Sequence, residues 1–318
     1  MSLDTHHEVE IWPCRVCASP VFDDELFCEA CGAGLVERAA DVLATPRTGD
    51  REEIDFGSAA AITDRGLRRR RNEDAMALAV VGNRAVAAVC DGVASTANPD
   101  LAARAAATEA LACLEPLLHV PEPLRVQDMA ARIREAFARA RQAVMGVPDD
   151  EPEGNDLSPS TTMVAAVATP EHVVIGNVGD SRAYWCSAAD CRLLTTDDSW
   201  AQEAIAEGVP PERAYAHPDA HTITRWIGAD AVSAQPTVLE LPVTESGMLL
   251  LCSDGLWNYF REPGDLGRLV HQEVSSDACR LARRLTDAAL TSGGQDNVTV
   301  VVVPIDPPAT IGNGATEE

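Results

Sequence analysis

Residues 75–92 read AMALAVVGNRAVAAVCDG. Two short runs, apolar at almost every position, flank Gly82–Asn83, and a Gly-Asn pair between such runs is a tight-hairpin signal. The second run stops at Asp91–Gly92. The layout recurs: TMVAAVA (162–168) and HVVIGNV (172–178) are joined by Thr169–Pro170–Glu171. RAYWC (182–186), GMLLLCS (247–253) and VTVVVV (298–303) follow. Helical stretches lie between. One is opened by Asn98–Pro99, an N-cap followed by proline at the first helical position. A second covers about Val126–Met145, with Met129, Ile133, Phe137, Ala140 and Val144 on one face. A third covers about Asp277–Leu290. Strands in hairpins and helices in long pairs predict an α+β fold with antiparallel sheets. Strands apolar at every position are covered on both faces, which predicts two stacked sheets with helices outside them.

At 318 residues the chain has room for one large domain and a small appendage. Its formal net charge of −25 argues against nucleic-acid and anionic-membrane partners. No apolar run approaches the ~20 residues of a membrane span. The N-terminus, MSLDTHHEVE, is polar and acidic, unlike a secretion signal, so a cytoplasmic location is expected. Most of the ten cysteines do not look like a disulfide scaffold. Cys90, Cys113, Cys252 and Cys279 read as small buried hydrophobes. Cys186 and Cys191 flank a short turn, a spacing that permits pairing without demanding it.

The remaining four cysteines are clustered. CRVCASPVFDDELFCEACGAGL (14–35) places Cys14 and Cys17 in one Cys-x2-Cys knuckle and Cys28 and Cys31 in another. Two knuckles offer four soft ligands in a tetrahedron, the preference of structural Zn²⁺. Redox thiols, or an iron site of rubredoxin type, would use the same spacing. The segment resembles a zinc ribbon over residues 12–34. Residues 35–54 lack a sustained pattern and read as a linker to a main domain over 55–305, and residues 306–318 read as a disordered tail.

Acids fall at strand ends. Asp91 follows one apolar run, Asp180 follows HVVIGNVG, Asp254 follows LLLCS, and Asp296 precedes VTVVVV. Glu73 and Asp74 precede the first run. Singly, each is an ordinary turn residue. Together, carboxylates at the rim of one pair of sheets would repel each other unless protonated or bridged by a cation. No His or Cys accompanies them, and an oxygen-only set selects Mg²⁺ or Mn²⁺.

The stretches TDRGLRRRRNED (63–74), AAVCDG (87–92), NVGDSRAYW (177–185), LLLCSDGLWN (249–258) and GGQDNVTVVVV (293–303) are similar, in order and spacing, to the motifs of the metal-dependent protein phosphatases (PPM, type 2C Ser/Thr phosphatases). The resemblance covers about residues 55–303. It implies a four-layer αββα sandwich with two, or three, Mn²⁺ or Mg²⁺ ions at one end. It implies that Asp91 bridges two ions, that the Gly92 carbonyl joins one, and that Asp254 and Asp296 complete the second. Asp180 matches the ligand of a weaker third ion. Glu73 and Asp74 match acids that act through water, and Arg69 matches the phosphate-binding arginine, chosen over Arg68, Arg70 and Arg71 by spacing. The implied reaction is hydrolysis of phosphoserine and phosphothreonine by a metal-activated water. The implied partners are phosphorylated proteins made by Ser/Thr kinases.

In DGVASTANPD (91–100) the family's usual Gly-Gly pair is missing, and Val93 stands where some members carry a His, so a His general acid is absent there. His217 and His221, within the flap region 199–228, read as exposed loop residues, and Trp200, Trp226 and Trp257 as packing. The rival readings are a pseudophosphatase and a zinc-ribbon-docked interaction module. Retention of the principal metal aspartates argues for catalysis.

Overall fold

The computed structural model describes residues 11–13, 20–22, 51–121, 123–148, 157–272 and 277–308. The chain divides into two units, Met1–Arg47 and Thr48–Glu318. In the first unit β1 (Ile11–Pro13) pairs antiparallel with β2 (Pro20–Phe22). Cys14, Cys17, Cys28 and Cys31 lie outside the described residues, as does most of the expected tail.

The second unit opens with β3 (Arg51–Asp55), β4 (Ala60–Asp64), β5 (Asp74–Val81), β6 (Arg84–Asp91), α1 (Pro99–Leu114) and α2 (Val126–Met145). It continues with β7 (Ser160–Thr161), β8 (Met163–Ala168), β9 (His172–Val178), β10 (Arg182–Ser187), β11 (Cys191–Leu193), α3 (Trp200–Ala206), α4 (Pro211–Ala214), β12 (Ile227–Gly228) and β13 (Thr237–Pro242). It closes with β14 (Gly247–Cys252), α5 (Asp254–Trp257), α6 (Pro263–His271), α7 (Ala278–Ser292) and β15 (Val298–Ile305). One antiparallel sheet has the order β11-β10-β14-β15-β4-β3 and the other β13-β9-β8-β6-β5. Helices α1 and α2 pack on the five-stranded sheet, and α6 and α7 on the six-stranded one. The layers are therefore helix, sheet, sheet, helix.

Side-chain alternation along each strand assigns the two faces. In β14, Leu249 and Leu251 enter the core between the sheets, with Trp185 and Val301. Leu250 and Cys252 enter the core under the helices, with Tyr184, Leu285 and Val300. Both faces are apolar because both are covered, which is why these strands read as continuous runs. On the other sheet the buried face of α1 is largely alanine, Ala102, Ala103, Ala106, Ala107 and Ala110. Small side chains there, set against alanine-rich β5 and β6, let helix and sheet approach closely.

Two expectations change, and one pairing left open by the sequence is formed. Composition predicts a linker over 35–54, but Arg51–Ile54 belong to β3, which pairs with β4 in register Arg51↔Asp64 to Asp55↔Ala60. The pattern there is polar because an edge strand exposes one face. Asn98 precedes α1 but makes no side-chain cap: it sits in the left-handed region at φ 44°, and its amide donates to the Pro148 carbonyl at 2.9 Å. Asparagine is tolerated at that φ, so the residue serves the turn and a tie to the loop after α2. Cys186 and Cys191 face each other across β10 and β11 and form a disulfide. Among the described residues no helix is long and apolar enough to cross a membrane.

Candidate active site

The hairpin β5–β6 sets Asp74 and Asp91 opposite each other across the two strands. Asp74 is buried, and its Oδ2 accepts hydrogen bonds from Ser253 Oγ and Thr299 Oγ1, both at 2.7 Å. Ser253 follows β14 and Thr299 lies in β15, so this one carboxylate ties the five-stranded sheet to the six-stranded one. The same bonds bring the neighbouring Asp254 and the turn containing Asp296 to the same end of the sandwich. Asp74 Oδ1 is buried and has no partner among the described residues.

Backbone geometry holds the others. The Asp91 carbonyl accepts from Thr162 N at 2.8 Å and Thr161 Oγ1 at 2.9 Å. Gly92 N donates to the Glu73 carbonyl at 3.1 Å. A Cβ on Gly92 would lie 2.5 Å from the Pro99 carbonyl oxygen, so only glycine lets the chain pass there. At Gly255 a Cβ would lie 1.8 Å from the Asn297 carbonyl oxygen, which fixes how closely α5 meets the end of the Asp296 turn. Despite the missing glycine pair the following turn is ordered: Val93 N donates to the Ser160 carbonyl at 3.0 Å, and Thr96 N to the Val93 carbonyl at 2.9 Å.

Electrostatics register the crowding of these acids. Burial pushes the Asp91 carboxyl well above its usual range, and the charges of Asp74, Asp254, Asp180 and Asp296 push it further. Asp254 is raised well above its range by burial, then by Asp180, Asp296 and Asp74, with Arg69 opposing. Asp74 is raised to about 6, by burial first, with the Thr299 and Ser253 hydroxyls opposing. Asp180 is raised to about 7 by burial and by Asp197. Among the described residues no three His, Cys, Asp or Glu side chains stand close enough together, as placed, to hold a metal ion. The site is an open cluster of acids within mutual electrostatic reach.

Of the four consecutive arginines, Arg69 is the one laid against the cluster, its Nη2 2.5 Å from Asp296 Oδ2. Arg71 pairs with Glu73 at 2.9 Å and with Asp100 at 3.3 Å. Arg68 and Arg70 are exposed. The arginine loop is held by a residue the sequence reading missed. Asn297 Oδ1 accepts from Glu73 N at 2.8 Å, and its Nδ2 donates to the carbonyls of Arg65 and Arg71 at 2.8 and 3.0 Å. Its only sequence signal is its place beside Asp296.

A second missed feature lies behind Asp180. Arg182 is buried, donates to Asp197 from Nε at 2.9 Å and Nη2 at 2.7 Å, and stacks over Trp257 with its guanidinium carbon 3.7 Å from the ring centroid. Trp257 in turn donates from Nε1 to the Asp180 carbonyl at 2.9 Å. The signal was an arginine inside an otherwise apolar strand. His217 and His221 are exposed, as expected: His217 stacks on Trp200 at 4.0 Å, and His221 is tilted toward Trp257 at 6.0 Å. Trp257 is buried, while Trp200 and Trp226 are half-buried.

The residues present fit hard divalent cations. The donors are all oxygen, the charges of Asp74, Asp180 and Asp296 raise the proton affinity of Asp91 and Asp254, and one buried carboxylate oxygen lacks a partner among the described residues. A sequence profile described as Protein phosphatase 2C matches residues 67–290. The chain is 30% identical over 247 residues to "Serine/threonine protein phosphatase PstP" of Mycobacterium tuberculosis, an alignment covering 77% of this chain and 44% of that protein. It thus spans less than half the length of that relative. It is 29% identical to "Serine/threonine phosphatase stp" of Listeria monocytogenes, over 77% of this chain and 94% of that one. The crystal structure of the serine/threonine phosphatase Stp1 from Staphylococcus aureus superposes with a TM-score of 0.66 at 27% identity, covering 80% of this chain and 98% of that one. Sequence profile, relatives and fold agree: the chain belongs to the protein phosphatase 2C family.

Proposed function

We propose that this chain is a metal-dependent protein phosphatase that hydrolyses phosphoserine and phosphothreonine in cytoplasmic proteins phosphorylated by Ser/Thr kinases. The observation that carries the reading is the gathering of Asp74, Asp91, Asp180, Asp254 and Asp296 at one end of the sandwich with a guanidinium against them. Like charges kept this close in a folded chain call for cations.

Asp91, the Gly92 carbonyl, Asp254 and Asp296 would hold two Mn²⁺ or Mg²⁺ ions, and Asp180 a weaker third. Glu73 and Asp74 would act through water. Bound there, such cations supply Lewis acidity that brings the pKa of water toward neutrality and offsets phosphoryl charge. Arg69 presents a planar fork of donors beside the cluster, suited to two phosphate oxygens at once. Asn297 keeps that fork in place by pinning the main chain on both sides of it. Since Val93 is not a proton donor, the leaving oxygen would take its proton from water or from another donor. Hydrolysis of p-nitrophenyl phosphate tests the reading: turnover should require Mn²⁺ or Mg²⁺, stop with a chelator, and fall sharply in Asp254→Asn. No turnover with either metal would favour a pseudophosphatase.

We further infer that Cys14, Cys17, Cys28 and Cys31 hold a structural Zn²⁺. The antiparallel strands β1 and β2 flank Cys14 and Cys17 in sequence, as a ribbon knuckle requires. Four protein ligands leave no open position, so this metal would not take part in hydrolysis. Purified protein should carry about one zinc per chain, lost in Cys28→Ser/Cys31→Ser.

A further inference from the structure

The run Arg68–Arg71 is out of keeping with its surroundings. The chain has 25 basic residues against 50 acidic ones, yet four arginines stand consecutively beside the acid cluster. The loop carrying them is pinned at both ends. Leu67 N donates to the Gly294 carbonyl at 2.7 Å, and Asn297 holds the main chain at Arg65, Arg71 and Glu73. Between the pins the side chains divide. Arg69 lies against Asp296 and Arg71 against Glu73 and Asp100. Arg68 and Arg70 project into solvent, and among the described residues neither makes an ion pair. Leu67, also in this loop, is 62% exposed.

Two exposed arginines, on a loop held by a buried asparagine, form a positive rim beside the arginine assigned to the phosphate. Arg68 and Arg70 are the sequence neighbours of Arg69, and each substrate residue advances the chain by about 3.5 Å, so the substrate positions within their reach are those close to the phosphorylated one. The occupant such a rim selects is negatively charged.

We propose that Arg68 and Arg70 form a subsite for acidic side chains flanking the phosphorylated residue, so that the enzyme prefers phosphoproteins with acidic segments around the modified Ser or Thr. This rests on the phosphatase reading and specifies its substrate class. The interaction is exposed and is therefore modest and screened by salt.

The test uses the full chain with Mn²⁺ and three phosphothreonine peptides of equal length with acidic, neutral or basic flanks. In dilute buffer the wild-type kcat/KM should be about three- to tenfold higher for the acidic than for the neutral peptide. That ratio should fall toward unity in R68Q/R70Q, and in the wild type at about 0.5 M salt. R192Q, which removes an exposed charge from edge strand β11, should leave the ratio unchanged. A wild-type ratio at or below unity, a ratio untouched by R68Q/R70Q, or an equal fall in R192Q would overturn the proposal. Should no peptide be turned over, the phosphatase reading falls, and fluorescence anisotropy decides the subsite: tighter binding of the acidic peptide to wild type than to R68Q/R70Q supports it, and equal binding overturns it.

Discussion

Asp180 and Arg182 are two residues apart, and each belongs to a buried charged cluster of opposite character. Arg182 is satisfied: two bonds to Asp197, a tyrosine hydroxyl at 3.3 Å and the face of Trp257. The acids around Asp91 are matched only in part. Asp74 accepts two hydroxyls and Asp296 pairs with Arg69. Yet neighbouring acids raise the proton affinity of Asp91 and Asp254, and one buried oxygen of Asp74 has no partner among the described residues. A paired buried charge is scaffold, because it is matched within the chain. An unmatched one persists where something from outside completes it. The two clusters touch through the indole of Trp257, which packs under Arg182 and holds the Asp180 carbonyl. The scaffold thereby fixes the position of the reactive end.

Substitutions should separate the two. Asp197→Ala strands a buried guanidinium and should cost about 3–5 kcal/mol in chemical denaturation. Asp91→Asn should do the reverse: turnover of p-nitrophenyl phosphate falls on the order of 10²–10³-fold, while the metal-free protein becomes more stable because a repelling charge is gone. If Asp91→Asn destabilised the metal-free chain as Asp197→Ala does, the contrast would be lost. Asn297→Ala falls between, removing three bonds to main chain. It should cost about 1–3 kcal/mol and lower kcat/KM by roughly tenfold as the Arg69 loop loosens.

The smallest effect is in pH. Asp74 at about 6 and Asp180 at about 7 titrate above their unfolded values, so the folded chain binds more protons between those values. Stability they contribute at low pH is therefore lost as pH rises through about 4 to 7. Urea midpoints of the metal-free protein across that window, compared with Asp180→Asn, should show a shallower fall in the variant.

Much of this was legible in the sequence for physical reasons. The strands are covered on both faces, so their runs are unbroken, and α2 spans Val126–Met145 because its apolar face keeps helical period along its whole length. The acids were visible because each interrupts an apolar run at its end. What escaped were partnerships. Nothing local says that Arg182 meets Asp197, or that Asn297 reaches a loop more than 220 residues earlier. β3 escaped because an edge strand shows a polar pattern, and the Asn98 side chain because a left-handed turn and a helix cap favour the same residue.

The most direct measurement is the thermal unfolding midpoint of the wild type and Asp91→Asn as Mn²⁺ is raised to millimolar levels near neutral pH. A ligand bound only by the folded state raises that midpoint with concentration. Wild type is expected to gain several degrees and Asp91→Asn little or nothing. No shift in the wild type, or an equal shift in both, would mean that the gathered aspartates are not a divalent-cation site.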